Sequence, residues 1–124
     1  MPTKFIYVTA ASAEEARKIG RTLVAERLAA CVNILERMTS FYWWEDKIEE
    51  GHEAVLVAKT RADLVPRAIA RIKALHGYTC PCIVALPVVG GNPDFLRWIQ
   101  AETRPRRKAR PRPKVRKTKA KTRR

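Results

Sequence analysis

The sequence predicts an α+β domain, and three observations lead there. Strand-like and helix-like runs follow one another as strand, helix, strand, strand, helix, strand, with a short helix after them. The middle two strand runs, between Ala30 and Thr60, form one long hairpin rich in β-branched and aromatic residues. Two other stretches repeat apolar residues at helical spacing, the mark of a helix with one buried face. This order builds a split βαβ sandwich, an antiparallel sheet with both long helices on one face. The other face then needs cover.

Each element follows from its residues. Lys4 to Ala10 is a short apolar run and reads as the first strand. Ser12-Ala13-Glu14-Glu15 is a capping box, in which the Ser12 hydroxyl accepts from the third helical amide and Glu15 reaches back. Ala16, Ile19, Gly20, Leu23, Val24 and Leu28 recur at helical spacing, which predicts a first helix ending near Ala29. The next strand runs from Ala30 to Trp44 and turns tightly at Glu45-Asp46. At roughly 3.3 Å per residue it is about 50 Å long, whereas a domain of this size is only about 35 Å across. The hairpin therefore overshoots its own domain or bends at a bulge. Its far end carries Phe41, Tyr42, Trp43 and Trp44. An exposed aromatic edge invites pairing, and another copy of the chain is the simplest cover.

Arg61 to His76 reads as the second helix, with Asp63 or Thr60 as its cap, Pro66 in its first turn and Gly77 as its stop. Val65, Ile69, Ile72 and Leu75 supply its apolar stripe. Pro81 to Val89 is a further strand, which Pro87 places at an edge. Asn92-Pro93-Asp94 opens a short third helix with a cap, a proline at its first position and an acid at the positive end of its dipole. Phe95, Leu96, Trp98 and Ile99 form its apolar side.

Charge divides the chain in two. Its 26 Lys and Arg and 12 Asp and Glu give +14 overall, yet residues 104–124 hold 13 of the basic residues and none of the acidic ones. Residues 1–103 therefore carry only +1 and form the expected folded domain. Residues 104–124, made of Arg, Lys, Pro, Ala and Thr with one Val, show no hydrophobic period and read as a disordered basic tail. Such a tail suits nucleic-acid phosphates, held without sequence preference through counterion release. No apolar run is long enough to span a bilayer, so no membrane partner is expected. No secretory signal is visible, and Cys31, Cys80 and Cys82 make an odd count without a disulfide framework. A cytoplasmic protein with reduced thiols is the expectation.

The chemistry-bearing residues are few. His76, Cys80 and Cys82 place an imidazole and two soft thiols within seven positions, a donor set that suits copper or zinc. The plain alternative is packing, and Pro81 either gathers the two sulfurs or holds them apart. Cys31 reads as a buried thiol unless assembly brings it beside another donor. Glu45, Asp46, Glu49, Glu50, His52 and Glu53 cluster around the hairpin turn, as a weak site for a hard cation or as a solvated strand edge. Two histidines allow no Ser-His-Asp or Cys-His-Asn arrangement, and Gly90-Gly91 lacks the pattern of a phosphate loop. No catalysis and no required cofactor are expected.

Several stretches together resemble the CutA family of divalent-cation tolerance proteins. They are Glu26 to Ile34, Ser40 to Ile48, Lys59-Thr60-Arg61, His76-Gly77-Tyr78 with Pro81, Ala85-Leu86-Pro87, and Gly91-Asn92 with Trp98-Ile99. The likeness covers roughly residues 4–103, in order. It implies a ferredoxin-like fold and a tight homotrimer intertwined through the hairpins, with Tyr42, Trp43 and Trp44 at the interface. It also implies a non-catalytic role in the response to metal ions such as copper. By the same likeness Lys59, Arg61, Tyr78 and Trp98 form a cleft between subunits for a small anionic ligand, with rim charges and core aromatics as the plain alternative, and Cys31 is the family-like thiol. The chain departs from the family pattern at Gly77, Cys82 and Asp46, where Pro, Glu and Gly are usual. A nucleic-acid-associated trimeric scaffold, acting through the basic tails, is the alternative function.

Overall fold

A computed structural model describes residues 2–105. Residues 106–124, nearly all of the basic tail, lie outside the described residues, and with them the expectation of disorder there. The elements are β1 (Thr3–Ala10), α1 (Ala13–Ala25), β2 (Cys31–Trp44), β3 (Lys47–Arg61), a 3-10 turn (Ala62–Leu64), α2 (Val65–Leu75), β4 (Ile83–Pro87) and α3 (Pro93–Glu102). One antiparallel sheet runs β2-β3-β1-β4, the ferredoxin-like order that the sequence predicts.

Strand alternation sorts the sheet into two faces. Ile6 and Val8 of β1 and Leu56 and Ala58 of β3 point to one face and pack against Ile19 and Leu23 of α1 and Ala68 and Ile72 of α2. All eight are fully buried. Burying each of the larger aliphatic side chains contributes about 1.5–3 kcal/mol. Gly20 lies at the closest approach of α1 to the sheet, where an added Cβ would meet Val32 Cγ2 at 2.8 Å and Leu56 Cδ1 at 3.1 Å.

The other face is only partly covered, and α3 supplies that cover. The Lys59 ammonium lies 5.4 Å from the ring centroids of both Phe5 and Phe95, and Ile99 is fully buried. Arg27 donates to the Glu102 carbonyl oxygen at 2.9 Å and to its carboxylate at 3.0 Å, which pins the C-terminal end of α3 to the loop after α1.

Several boundaries differ from the sequence reading. α1 stops at Ala25 rather than near Ala29 because a Schellman motif closes it. Leu28 N–H donates to the Leu23 carbonyl at 2.9 Å and Arg27 N–H to that of Val24 at 3.0 Å, with Arg27 at φ 61°. Neither Asp63 nor Thr60 caps α2, because β3 continues through Arg61 and the 3-10 turn leads straight into the helix. Gly77 is not a left-handed stop, since no glycine has positive φ among the described residues. It makes room for Glu15, whose Oε2 accepts from Gly77 N–H at 2.8 Å and would sit 3.0 Å from an added Cβ. In the capping box Ser12 Oγ accepts from Glu15 N–H at 3.1 Å, but Glu15 reaches back to Ala11 N–H at 2.9 Å instead of to Ser12. β4 is shorter than expected, although Val88 N–H still donates to the Thr3 carbonyl at 3.2 Å.

The hairpin both overshoots and bends. β1 pairs with β3 only from Ala54 to Arg61, so Lys47 to Glu53 extend past the sheet by about 23 Å at roughly 3.3 Å per residue. The register shifts between Leu35 and Met38, where Glu36 and Arg37 form a bulge and Glu36 pairs with Arg17 of α1. The turn is tight, with Glu45 at φ 51° and Asp46 at φ 65°, a type I′ geometry.

Candidate functional site

Between the stem of the hairpin and the loop before β4, on the face away from α1 and α2, the sheet carries an open groove of about 740 Å³. Its floor is Tyr7 and Thr9 of β1 with Glu49 and Glu53 of β3. One wall is Met38, Ser40, Tyr42 and Trp44 of β2, and the other is Tyr78, Thr79, Cys80 and Cys82 of the loop. Strand alternation explains the β2 wall: these four residues lie two apart, so their side chains share one face. Tyr42 also covers Gly51 on the neighbouring strand, where an added Cβ would meet its ring at 3.4 Å.

The loop wall is held by polar contacts. The His76 side chain is 0% exposed. Its Nε2 lies 2.7 Å from the Thr9 carbonyl oxygen, and its Nδ1 accepts from Tyr78 N–H at 3.1 Å. A carbonyl only accepts, so Nε2 is the donor in that bond. Glu15 Oε2 lies 4.0 Å from Nδ1 and takes the Gly77 amide. Thr9 N–H donates to the Cys82 carbonyl at 3.3 Å, which fixes the far end of the loop. Tyr78 Oη donates to Glu53 Oε2 at 2.9 Å and so bridges wall and floor. Burial first, and then this bond to the Glu53 carboxylate, push the Tyr78 phenol up to about 12. The phenol stays protonated and donates. Tyr7 Oη likewise donates to Met38 Sδ at 3.8 Å.

The structure thus sorts the residues singled out in the sequence. Cys80 and Cys82 line the same groove, so Pro81 does not turn them to opposite sides. His76 does not join them, because both ring nitrogens already have partners. Among the described residues, no three of His, Cys, Asp and Glu come together as a metal-binding group, and the acidic turn residues are no exception. Cys31 opposes Lys59 on β3, half-buried and outside the groove.

Within one chain Lys59, Arg61, Tyr78 and Trp98 do not share one place, and the expected cleft between subunits is a matter of the assembly. Lys59 sits between two phenylalanine rings, Arg61 pairs with Asp63 at 3.4 Å, and Trp98 stacks on Phe95 with centroids 5.6 Å apart. Tyr78 belongs to the groove, bonded to Glu53, and Glu53 and Lys59 stand about 20 Å apart along β3 at roughly 3.3 Å per residue. Met38 and Tyr7 went unnoticed in the sequence, since an apolar residue on a strand gives no sign of which face it takes beyond a bulge. The span from Glu15 to Gly77 left no sign either, because the two are brought together only by the fold.

Beyond the hairpin stem, Phe41 and Trp43 point away from the groove, 70% and 71% exposed, while Tyr42 and Trp44 face it, also exposed. No helix among the described residues is long and apolar enough to cross a membrane.

Comparison with known proteins places this architecture. A family profile described as CutA1 divalent ion tolerance protein matches residues 4–102. The chain is 47% identical over 95 residues to the divalent-cation tolerance protein CutA of Archaeoglobus fulgidus, covering 77% of this chain and 92% of that one. It is 46% identical over 98 residues to that of Thermus thermophilus, covering 79% and 95%. The solved structure of a CutA from Archaeoglobus fulgidus, described as periplasmic, superposes with a TM-score of 0.80 at 44% identity over 82% of this chain and 99% of that one.

Proposed function

The chain belongs to the CutA1 divalent ion tolerance family, and from that premise we propose that it acts without catalysis in the response to metal ions, as a homotrimer whose open-face groove holds a metal ion or a small ligand. One observation carries the reading. The groove, with two thiols, a thioether and two carboxylates on its walls and floor, lies at the root of a hairpin whose aromatic end is exposed on both sides. A monomer leaving Phe41, Trp43 and Ile48 in water has an unusually large apolar surface, and a surface of that kind marks an interface. Closure as a trimer is what the family likeness adds. The small anion expected at Lys59 and Arg61 has less support, because both cations are already engaged. Native mass spectrometry of protein taken from cells tests the reading. A trimer carrying metal or a small ligand is the expected result, and a bare monomer overturns it. Three free cysteines support a reducing compartment such as the cytoplasm, which cell fractionation checks.

A second reading rests on a separate observation. Thirteen basic residues and no acidic one lie on residues 104–124, beyond the family match that ends at residue 102. The reading is that they hold polyanions, nucleic acid among them, through counterion release. Truncation after Thr103 should abolish nucleic-acid binding, and binding by the full chain should fall steeply with salt. Equal affinity in the truncated protein removes this reading.

A further inference from the structure

We propose that Cys80 and Cys82 form a reversible dithiol–disulfide pair that exchanges with small, amine-bearing disulfides in the groove. Both cysteines are free and exposed, and both line the loop wall of that groove. They lie outside regular strand, because β4 begins at Ile83. Even in fully extended chain, two steps of roughly 3.3 Å leave their Cα atoms about 6.6 Å apart. A disulfide spans Cα separations of roughly 4.4–6.8 Å, so the two sulfurs can meet. Pro81 holds its own φ near about −65° and keeps Cys80 extended, so the link between them has little freedom to lose. The loop is tied to Thr9 at both ends, by the His76 ring to its carbonyl and by the Cys82 carbonyl to its N–H.

A disulfide closed across a single residue forms a small, strained ring, and strained or exposed disulfides are the readily reduced ones. In a reducing compartment the pair therefore rests as the dithiol, and it closes when small disulfides accumulate. One cysteine thiolate attacks the small disulfide, whose S–S bond breaks. A mixed disulfide forms and one small thiol leaves. The other cysteine then attacks the protein sulfur of the mixed disulfide, and the second small thiol leaves. The two protons lost by the cysteines end on the two small thiols. The pair is oxidised by two electrons, and the small disulfide is reduced by the same two. The groove sets the class of that disulfide. Glu49 and Glu53 lie on its floor, Tyr42, Trp44 and Tyr78 on its walls, and no Lys or Arg lines it. Carboxylates and aromatic faces attract cations, so an ammonium-bearing disulfide enters more readily than an acidic one.

The test treats the full-length chain, reduced and free of oxygen, with cystamine, a disulfide bearing two ammonium groups, in physiological salt. The Debye length is then about 8 Å, so charges elsewhere on the chain act weakly at the groove. Free thiols are alkylated, and the two groove cysteines are read by peptide mass. In the parent both should escape alkylation and carry no cystamine, with two hydrogens lost, and dithiothreitol should restore them. Cys31→Ser should behave as the parent does. Cys80→Ser and Cys82→Ser should each stop with half a cystamine on the remaining cysteine. Dithiodipropionate, an acidic disulfide, should react about 10-fold more slowly, the lower end of what a focused charge does to on-rates. Both rates are taken relative to those with free dithiothreitol, which removes their intrinsic difference. A parent that holds separate adducts on Cys80 and Cys82, joins chains through them, or leaves both free overturns the pair. Equal relative rates for the two disulfides overturn the choice of substrate class.

Discussion

Thr60 ends the apolar face of β3 and is fully buried, yet its Oγ1 has no hydrogen-bond partner among the described residues. An unpaired hydroxyl in a core costs free energy that no contact returns. Thr60→Val keeps the shape and removes the polar atom, so it should raise stability by about 1 kcal/mol. Chemical denaturation checks this, and a loss of stability would mean that the hydroxyl has a partner in solution. Glu26 and Arg71 make the opposite case. Arg71 Nε donates to Glu26 Oε1 at 3.0 Å and its NH2 donates to Oε2 at 2.9 Å, linking the end of α1 to α2. The hydrogen bond and then the charge of Arg71 hold the Glu26 carboxyl below its ordinary 4.5. A carboxyl whose pKa is lowered by folding adds stability above its unfolded value, and loses it as pH falls through the folded one. The melting-temperature difference between the parent and Glu26→Gln should therefore be constant at neutral pH and vanish in acid. A difference that persists at pH 2, about two units below the free carboxyl, would assign the effect to packing. Neither feature was visible in the sequence, because each depends on which neighbours the fold supplies.

Most elements were legible because their signals are local. The helix starts at Ser12 and Asn92 bear the expected side-chain caps, with Asn92 Oδ1 accepting from Asp94 N–H at 3.0 Å. Pro87 sits on an edge strand, where its missing N–H costs nothing. The illegible boundaries are those where a distant residue decides. Arg27 takes the left-handed position that glycine usually fills, and Glu102, 75 positions away, holds its side chain there. The hairpin turn is a local exception. Glu45 and Asp46 both occupy the left-handed region, which costs about 1–2 kcal/mol for an ordinary side chain. Glu45→Asn with Asp46→Gly gives the turn its preferred residues and should raise stability by about 1 kcal/mol without changing assembly. Thermal unfolding monitored with sedimentation checks both halves. A destabilised double variant would show that the acidic pair makes a contact in the assembly.

At the scale of the molecule, the sequence announced an overlong hairpin and an uncovered face, and the structure has both. α3 covers one end of that face and the groove occupies the other, a division that no periodicity encodes. Trp43 and Trp44 point to opposite sides of the hairpin, so an assembly that buries both would have to grip its tip from both sides. Trp43→Lys with Trp44→Lys would set two charges into that interface and remove its largest aromatic surfaces. The expected outcome is a folded monomer in analytical ultracentrifugation, against a trimer for the parent. A parent already monomeric at micromolar concentration would remove the assembly reading.

The bulge at Glu36 and Arg37 acts as a phase shift. Before it, the even-numbered residues Val32 and Ile34 of β2 pack toward α1 and α2, whereas beyond it the even-numbered Met38, Ser40, Tyr42 and Trp44 face the groove. β3 keeps a single parity throughout. Pairing Glu36 and Arg37 one by one with β3, without the bulge, would therefore turn Phe41 and Trp43 into the groove and Tyr42 and Trp44 out of it, with no letter of the aromatic run altered. Deleting Arg37 would instead leave Glu36 alone opposite Ala54 and keep the same rings in the groove. What the two residues between Leu35 and Met38 must keep is their shared place opposite Ala54.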